Sequence, residues 1–213
     1  MRIHADNPFF SFMSKVGDCI YLNIIFIISC IPVITIGASI TALFCAVRER
    51  MADRESYVRK DFVRYFKENF KNSTCMWIPF LIATIALYRF TLYVGVHLQE
   101  PVVIGGYLIF FLLYSFTIVY AFPLQATFIN TPGQILINSL LTALRHLPYT
   151  LGLFFVTFAP MAFTLFMLDA MYFTIPYWLF IGFSLNACLS NLILKNVLKI
   201  YMPKSDTPQT GLE

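Results

Sequence analysis

The chain has 213 residues, 59% of them hydrophobic and only 12% charged, with a formal net charge of +4. Soluble domains carry about 25% charged residues, so this composition excludes an ordinary water-soluble globule. Charge-free runs occupy residues 19–47, 72–88, 101–144, 146–168 and 170–194. A helix crossing the hydrocarbon needs about 20 mostly apolar residues. Four runs reach that length, and the 72–88 run does so if Arg89 lies near an interface. A membrane barrel would show alternating segments of about ten residues, whereas these runs are continuous. The expected class is all-α: a polytopic membrane helical bundle of about five spans plus two interfacial amphipathic helices, forming one integral domain over residues 1–200.

In chain order, residues 7–18 (NPFFSFMSKVGD) predict a short interfacial helix from Pro8, with Phe9, Phe12, Met13 and Val16 on one face. Arg2, Asp6, Lys15 and Asp18 argue against a cleavable signal peptide. The first span is expected over 19–47. Residues 48–71 hold eight basic and five acidic residues. Within them Val58, Phe62, Phe66 and Phe70 recur every four positions as an apolar stripe, and Lys60, Arg64, Lys67 and Lys71 share another face. That pattern predicts a basic amphipathic helix on a membrane surface or against a partner. A second span follows over 73–94, and a third over 102–122.

Residues 130–134, NTPGQ, break the next apolar run. Thr131 can cap a helix, Pro132 suits its first position and Gln134 completes a capping box. The predicted helix 132–146 places Gln134, Asn138, Thr142 and Arg145 on one face and Leu136, Leu140, Leu144 and Leu147 on the other. A fourth span is expected over 148–168, a turn at Asp169, and a fifth over 175–198. Residues 201–213 read as a polar tail. The order span, amphipathic helix, span occurs at 19–94 and again at 102–168, a weak internal echo of the repeats found in transport proteins.

With five spans, one face receives 12 of the 15 Lys and Arg, and the positive-inside rule makes that face cytoplasmic. The expectation is then an outside N-terminus and an inside C-terminus. It reverses at the N-terminus if the first run is a re-entrant hairpin.

That first run has 29 uncharged residues, about 43 Å as a helix, against hydrocarbon about 30 Å thick. Pro32 removes a donor and pushes against the preceding turn. Gly37 permits a bend or a close helix approach, and Thr35, Ser39 and Thr41 can satisfy freed backbone groups. A broken helix lining a binding site is one reading. A kinked helix packing its small residues against a neighbour is the favoured one.

NPFF (7–10), Gly17-Asp18, Asn23, IPVITIGAS (31–39), TAL (41–43), FKENFK (66–71) and RHLP (145–148) together resemble the YesL-like bacterial membrane family, long catalogued as a domain of unknown function. The resemblance runs from about residue 7 to residue 200. It implies a small multi-pass protein of the bacterial cytoplasmic (inner) membrane, whose genes commonly lie beside carbohydrate ABC importers and polysaccharide-degrading enzymes. It implies no active site, so no catalytic residue carries over.

Polar residues inside spans are the remaining candidates, because they are costly in lipid. Asn23 is one. Gly182, Asn186 and Ser190 share a face of the fifth span with Asn191 beside it, suiting either a substrate contact or interhelical hydrogen bonds. Asp18, Arg89, Glu100 and Asp169 fall together in the five-span topology as an outer ionic cluster. Arg145 and His146 join the basic helix as candidate interfacial or partner-binding residues. The three histidines lie in different segments without HExxH spacing, there is no phosphate-binding GxxxxGK[ST] loop, and the five cysteines form no CxxC pair. No cofactor or metal is expected, and no nucleic-acid partner, since a basic helix beside a span is better suited to anionic lipid or a cytosolic protein. Together with the gene context that the resemblance implies, the absence of catalytic sets suggests a non-enzymatic accessory protein packed against the permease subunits of a carbohydrate ABC importer. The alternative is a stand-alone small-solute (sugar) transporter. Self-association is left open.

Overall fold

The computed structural model describes residues 8–52, 58–97, 101–166 and 171–201. They are helical almost throughout: α1 (Pro8–Ser29), a 3-10 turn (Val33–Thr35), α2 (Ile36–Met51), α3 (Val58–His97), α4 (Pro101–Gln125), α5 (Pro132–Arg145), α6 (Leu147–Phe166), α7 (Met171–Tyr177), a π-helical turn (Trp178–Gly182) and α8 (Phe183–Leu198). Four stretches are long and apolar enough to cross a membrane: Val58–Tyr93, Pro101–Gln125, Leu147–Phe166 and Thr174–Leu198. Only 11–28% of each apolar window is buried within the bundle. The rest is partly or fully exposed, an arrangement suited to hydrocarbon. The protein is a multi-pass helical membrane protein.

The 19–47 run, expected as one kinked span, takes another path. A continuous helix would hold Asp18 and Arg50 about 48 Å apart at 1.5 Å per residue. Instead Arg50 Nε meets Asp18 Oδ2 at 2.6 Å. Leu22 and Phe26 of α1 share a buried cluster with Ala42, Leu43, Ala46 and Val47 of α2. The two helices are thus antiparallel arms of a hairpin, turning at residues 30–35. The physical reason is local. Pro32 cannot continue the helix, and β-branched Val33, Ile34 and Thr35 follow it in a single 3-10 turn. The interfacial helix expected from Pro8 is continuous with α1; the side chains of Phe9 and Phe12 lie outside the described residues.

The basic amphipathic helix and the second span are likewise one element. α3 runs for 40 residues, about 60 Å. Its stripe is used inside the molecule: Phe62 is buried in the hairpin's cluster and Phe66 packs against it. The ladder continues outward through Phe62–Phe66 and Phe66–Phe70, with ring centroids 6.4 and 5.6 Å apart.

A second buried cluster joins α3, α4, α5, α6 and α8 through Met76, Tyr120, Ile135, Leu153 and Leu194. α4 runs antiparallel to α3, with Tyr114 bonded to Thr84 and Tyr107 to Thr91. α6 runs antiparallel to α4, with Thr150 bonded to the Tyr120 hydroxyl at 3.2 Å. α8 returns beside α6. α5 begins with the expected capping box, the Thr131 N–H donating to Gln134 Oε1 at 3.3 Å. It buries a third face, Ile135, Ser139, Thr142 and Ala143, leaving Leu141 and Leu144 exposed. The two halves of the proposed echo follow different paths, a hairpin plus one long helix against three separate helices.

Every Lys and Arg among the described residues except Arg89 lies toward one end of the bundle, together with the start of α1 and the end of α8. The N-terminal end of α1 therefore shares a side with the 48–71 segment, contrary to the five-span expectation.

Candidate functional site

The polar residues inside the helical region converge on two junctions. The first is where α1 meets the last span. Asn23 is fully buried. Its Nδ2 donates to the carbonyls of Trp178 and Leu179 at 2.9 and 2.7 Å. Its Oδ1 accepts from the N–H groups of Phe183 and Ser184 at 2.9 and 3.0 Å. Two of these partners open the π-turn and two follow it directly, where the ordinary helical pairing is shifted. One side-chain amide thus satisfies backbone groups that lipid could not. Gly182 closes the turn, because a Cβ there would sit 2.7 Å from Trp178 Cε3. The Trp178 indole is held in turn by Thr164 Oγ1 at 2.9 Å.

The second junction is the hairpin turn. The Thr35 hydroxyl lies within donating reach of the Ser29 carbonyl at 2.5 Å and of the Pro32 carbonyl at 2.7 Å; the latter also accepts from the Thr35 N–H at 2.9 Å. Ser39 donates to the Thr35 carbonyl at 3.0 Å, and Thr41 to that of Gly37 at 3.1 Å. Thr41 also meets Ser73 of α3 at 2.9 Å. Gly37 is required by close approach: a Cβ there would lie 2.7 Å from both the Ser73 carbonyl oxygen and Trp77 Cβ. The Trp77 indole donates to the Val33 carbonyl at 2.8 Å, fastening the turn to α3. Ile31, Pro32, Val33 and Ile34 themselves are exposed, an apolar tip with no polar side chain.

Of the fifth-span candidates, Asn186 donates to the Val156 carbonyl of α6 at 2.9 Å, and its Oδ1 accepts from Ser190 at 3.4 Å. Asn191 reaches the Phe44 carbonyl of α2 at 3.4 Å. Each joins α8 to a neighbour.

Between the hairpin, α4, α6 and α8 lies a cavity of about 560 Å³. Its walls are mainly aliphatic and aromatic, including Phe26, Ile40, Trp77, Phe122, Phe158 and Trp178. Its polar lining is Asn186, Ser190, Thr157 and the Cys30 thiol.

Asp18 does not join Arg89 in the expected outer ionic cluster. Asp18 pairs with Arg50 at the basic end, the opposite end from Arg89; Glu100 and Asp169 lie outside the described residues. Lys60, Arg64, Lys67 and Lys71 are exposed on α3 as expected, as is Phe70. Arg64 forms an ion pair with Asp61 at 2.9 Å, while Phe62 and Phe66 are taken up by the molecule's own core. Arg145 stacks over the Tyr201 ring at 5.8 Å, and His146 Nε2 meets the Tyr201 hydroxyl at 3.0 Å, tying the start of α6 to the end of α8. Among the described residues no three His, Cys, Asp or Glu side chains converge as a metal site.

Sequence reasoning missed Arg48. Its guanidinium donates to Thr127 Oγ1 at 2.6 Å and to the Ala126 carbonyl at 2.5 Å. It thereby caps the C-terminal end of α4 with a cation, where the helix dipole is negative. Nothing in a loop rich in Arg and Lys singles it out.

Residues 19–89 match the family model described as "Protein of unknown function, DUF624". The match covers the hairpin and most of α3. No curated protein and no solved structure matches the chain.

Proposed function

We propose, from the match of residues 19–89 to the YesL-like family of unknown function, that the chain is a non-enzymatic accessory protein of the bacterial cytoplasmic membrane. In this reading it packs beside the permease subunits of a carbohydrate ABC importer and assists their assembly or activity. The basic end faces the cytoplasm, by the positive-inside rule, and both α1 and α8 have their charged ends there. The importer is suggested by the gene neighbourhood that the resemblance implies.

One observation carries the accessory role. The asparagines inside the bundle, Asn23, Asn186 and Asn191, are all bonded to helix backbone, so they hold helices together and leave few polar groups for a solute. Co-purification from mild detergent with the importer permeases tests the proposal. Recovery of the permeases supports it. Their repeated absence, with unchanged sugar uptake in a deletion strain, overturns it.

The 560 Å³ cavity favours a second reading, a stand-alone transporter of a small solute. Sites for sugars need convergent polar groups to match the hydroxyls, and this lining supplies few. Purified protein in liposomes that accumulates a candidate sugar or oligosaccharide would establish this reading in place of the first; no accumulation rejects it.

A further inference from the structure

We infer that the cavity between the hairpin, α4, α6 and α8 is a lipid site that holds one acyl chain of a bilayer phospholipid. This does not rest on the accessory role.

Three features point to that occupant. First, the walls are mainly apolar, and the asparagine among their few polar members is already engaged. Asn186 donates to the Val156 carbonyl and accepts from Ser190, so its amide makes little demand for a polar ligand. A buried polar group left unpaired would select one; here the lining selects a hydrocarbon.

Second, the mouth lies on the lipid-facing surface. Two of the lining residues, Ile31 at the hairpin tip and Met161 on α6, are 76% and 44% exposed. Around them Ile28, Val33, Ile34 and Leu165 are also exposed. A chain entering there passes from hydrocarbon to hydrocarbon without crossing a polar rim.

Third, an empty apolar void of this size is unfavourable, because its lining loses dispersion contacts. The bilayer supplies acyl chains at high concentration beside the opening. The volume also lies in the ordinary range for ligand pockets, about 300–1,000 Å³. A chain lodged there would fill the space between the hairpin and α6, on the side of α8 that both of them pack against.

The chain's two tryptophans, Trp77 and Trp178, both line the cavity, which provides a direct readout. The protein is reconstituted into phosphatidylcholine–phosphatidylglycerol vesicles whose acyl chains carry bromine at mid-chain, and tryptophan quenching is measured. Two filling variants, Val119→Phe on α4 and Thr157→Phe on α6, alter different helices of the lining, so one remains informative if the other misfolds. In parallel, native mass spectrometry counts phospholipid retained after detergent exchange. The expected result is strong quenching in the unmodified protein, several-fold weaker quenching in a folded filling variant, and one retained phospholipid that the variant loses. Equal quenching in the unmodified protein and both folded variants, with no retained phospholipid, overturns the proposal. So does retention of a water-soluble solute in the cavity in place of lipid.

Discussion

Arg50 Nε and Asp18 Oδ2 lie 2.6 Å apart, although 32 residues separate them in sequence. That contact closes the base of the α1–α2 hairpin, and Arg50 adds a bond to Ser14 Oγ at 3.2 Å. Both partners are about a quarter exposed, so the pair itself stabilises modestly, about 0.5–1 kcal/mol. Asp18→Arg should lower thermal stability in detergent by at least that amount, since it sets two cations side by side. The double change Asp18→Arg with Arg50→Asp should recover most of the loss. A double variant no more stable than the single would mean the two side chains do not meet.

Asn23→Leu keeps a similar volume and removes four hydrogen bonds at the π-turn. Interhelical hydrogen bonds in membranes average about 0.6 kcal/mol, and orphaned buried groups cost about 1–3 kcal/mol each. We expect a loss of about 2–4 kcal/mol in detergent unfolding. Trp178 fluorescence should shift as well, because the turn carrying it loses its anchor.

Gly37→Ala should destabilise by about 1–3 kcal/mol, the cost of overpacking, because the added methyl meets α3 backbone at 2.7 Å. Gly105→Ala is the control. A Cβ there meets nothing within 4 Å, and removing a mid-helix glycine gains up to about 1 kcal/mol. Opposite signs in one unfolding assay verify the close approach; equal effects contradict it.

Much of the architecture is readable in the residues. Uninterrupted apolar length predicts α4, α6 and the last span within a few positions, and the Thr131–Gln134 pair predicts the start of α5. The path of the first run is not readable in the same way. Pro32 and Gly37 break a helix whether it then bends slightly or folds back, and the deciding contacts are tertiary: Asp18 with Arg50, and Leu22 with α2. Asn23 shows the same limit. An asparagine in an apolar run signals a bonded polar group, but its partners lie 155–161 residues away. The α3 stripe was legible as amphipathic, yet no pattern in it says that the surface it covers is the molecule's own hairpin.

The antiparallel packing of α1 on α8 brings the Cys19 and Cys188 sulfurs to 3.9 Å. With Cys30, Cys45 and Cys75 replaced by alanine, a mild oxidant should cross-link the native pair within one chain. The product is a faster-migrating, reducible band on a non-reducing gel. Either single replacement, Cys19→Ala or Cys188→Ala, should abolish it.

The hairpin and its placement of α1 beside the basic segment form the central structural claim. The most direct test is sided labelling in intact cells, using single cysteines in a cysteine-free background. Gly17→Cys sits in open space, Lys67→Cys lies on the exposed face of α3 and Arg89→Cys lies toward the far end. An impermeant maleimide added outside should reach residue 89 alone, with residues 17 and 67 labelled only after the cells are opened. Labelling of residue 17 from outside while residue 67 stays protected would mean that the first run crosses the bilayer once, and the hairpin would be wrong.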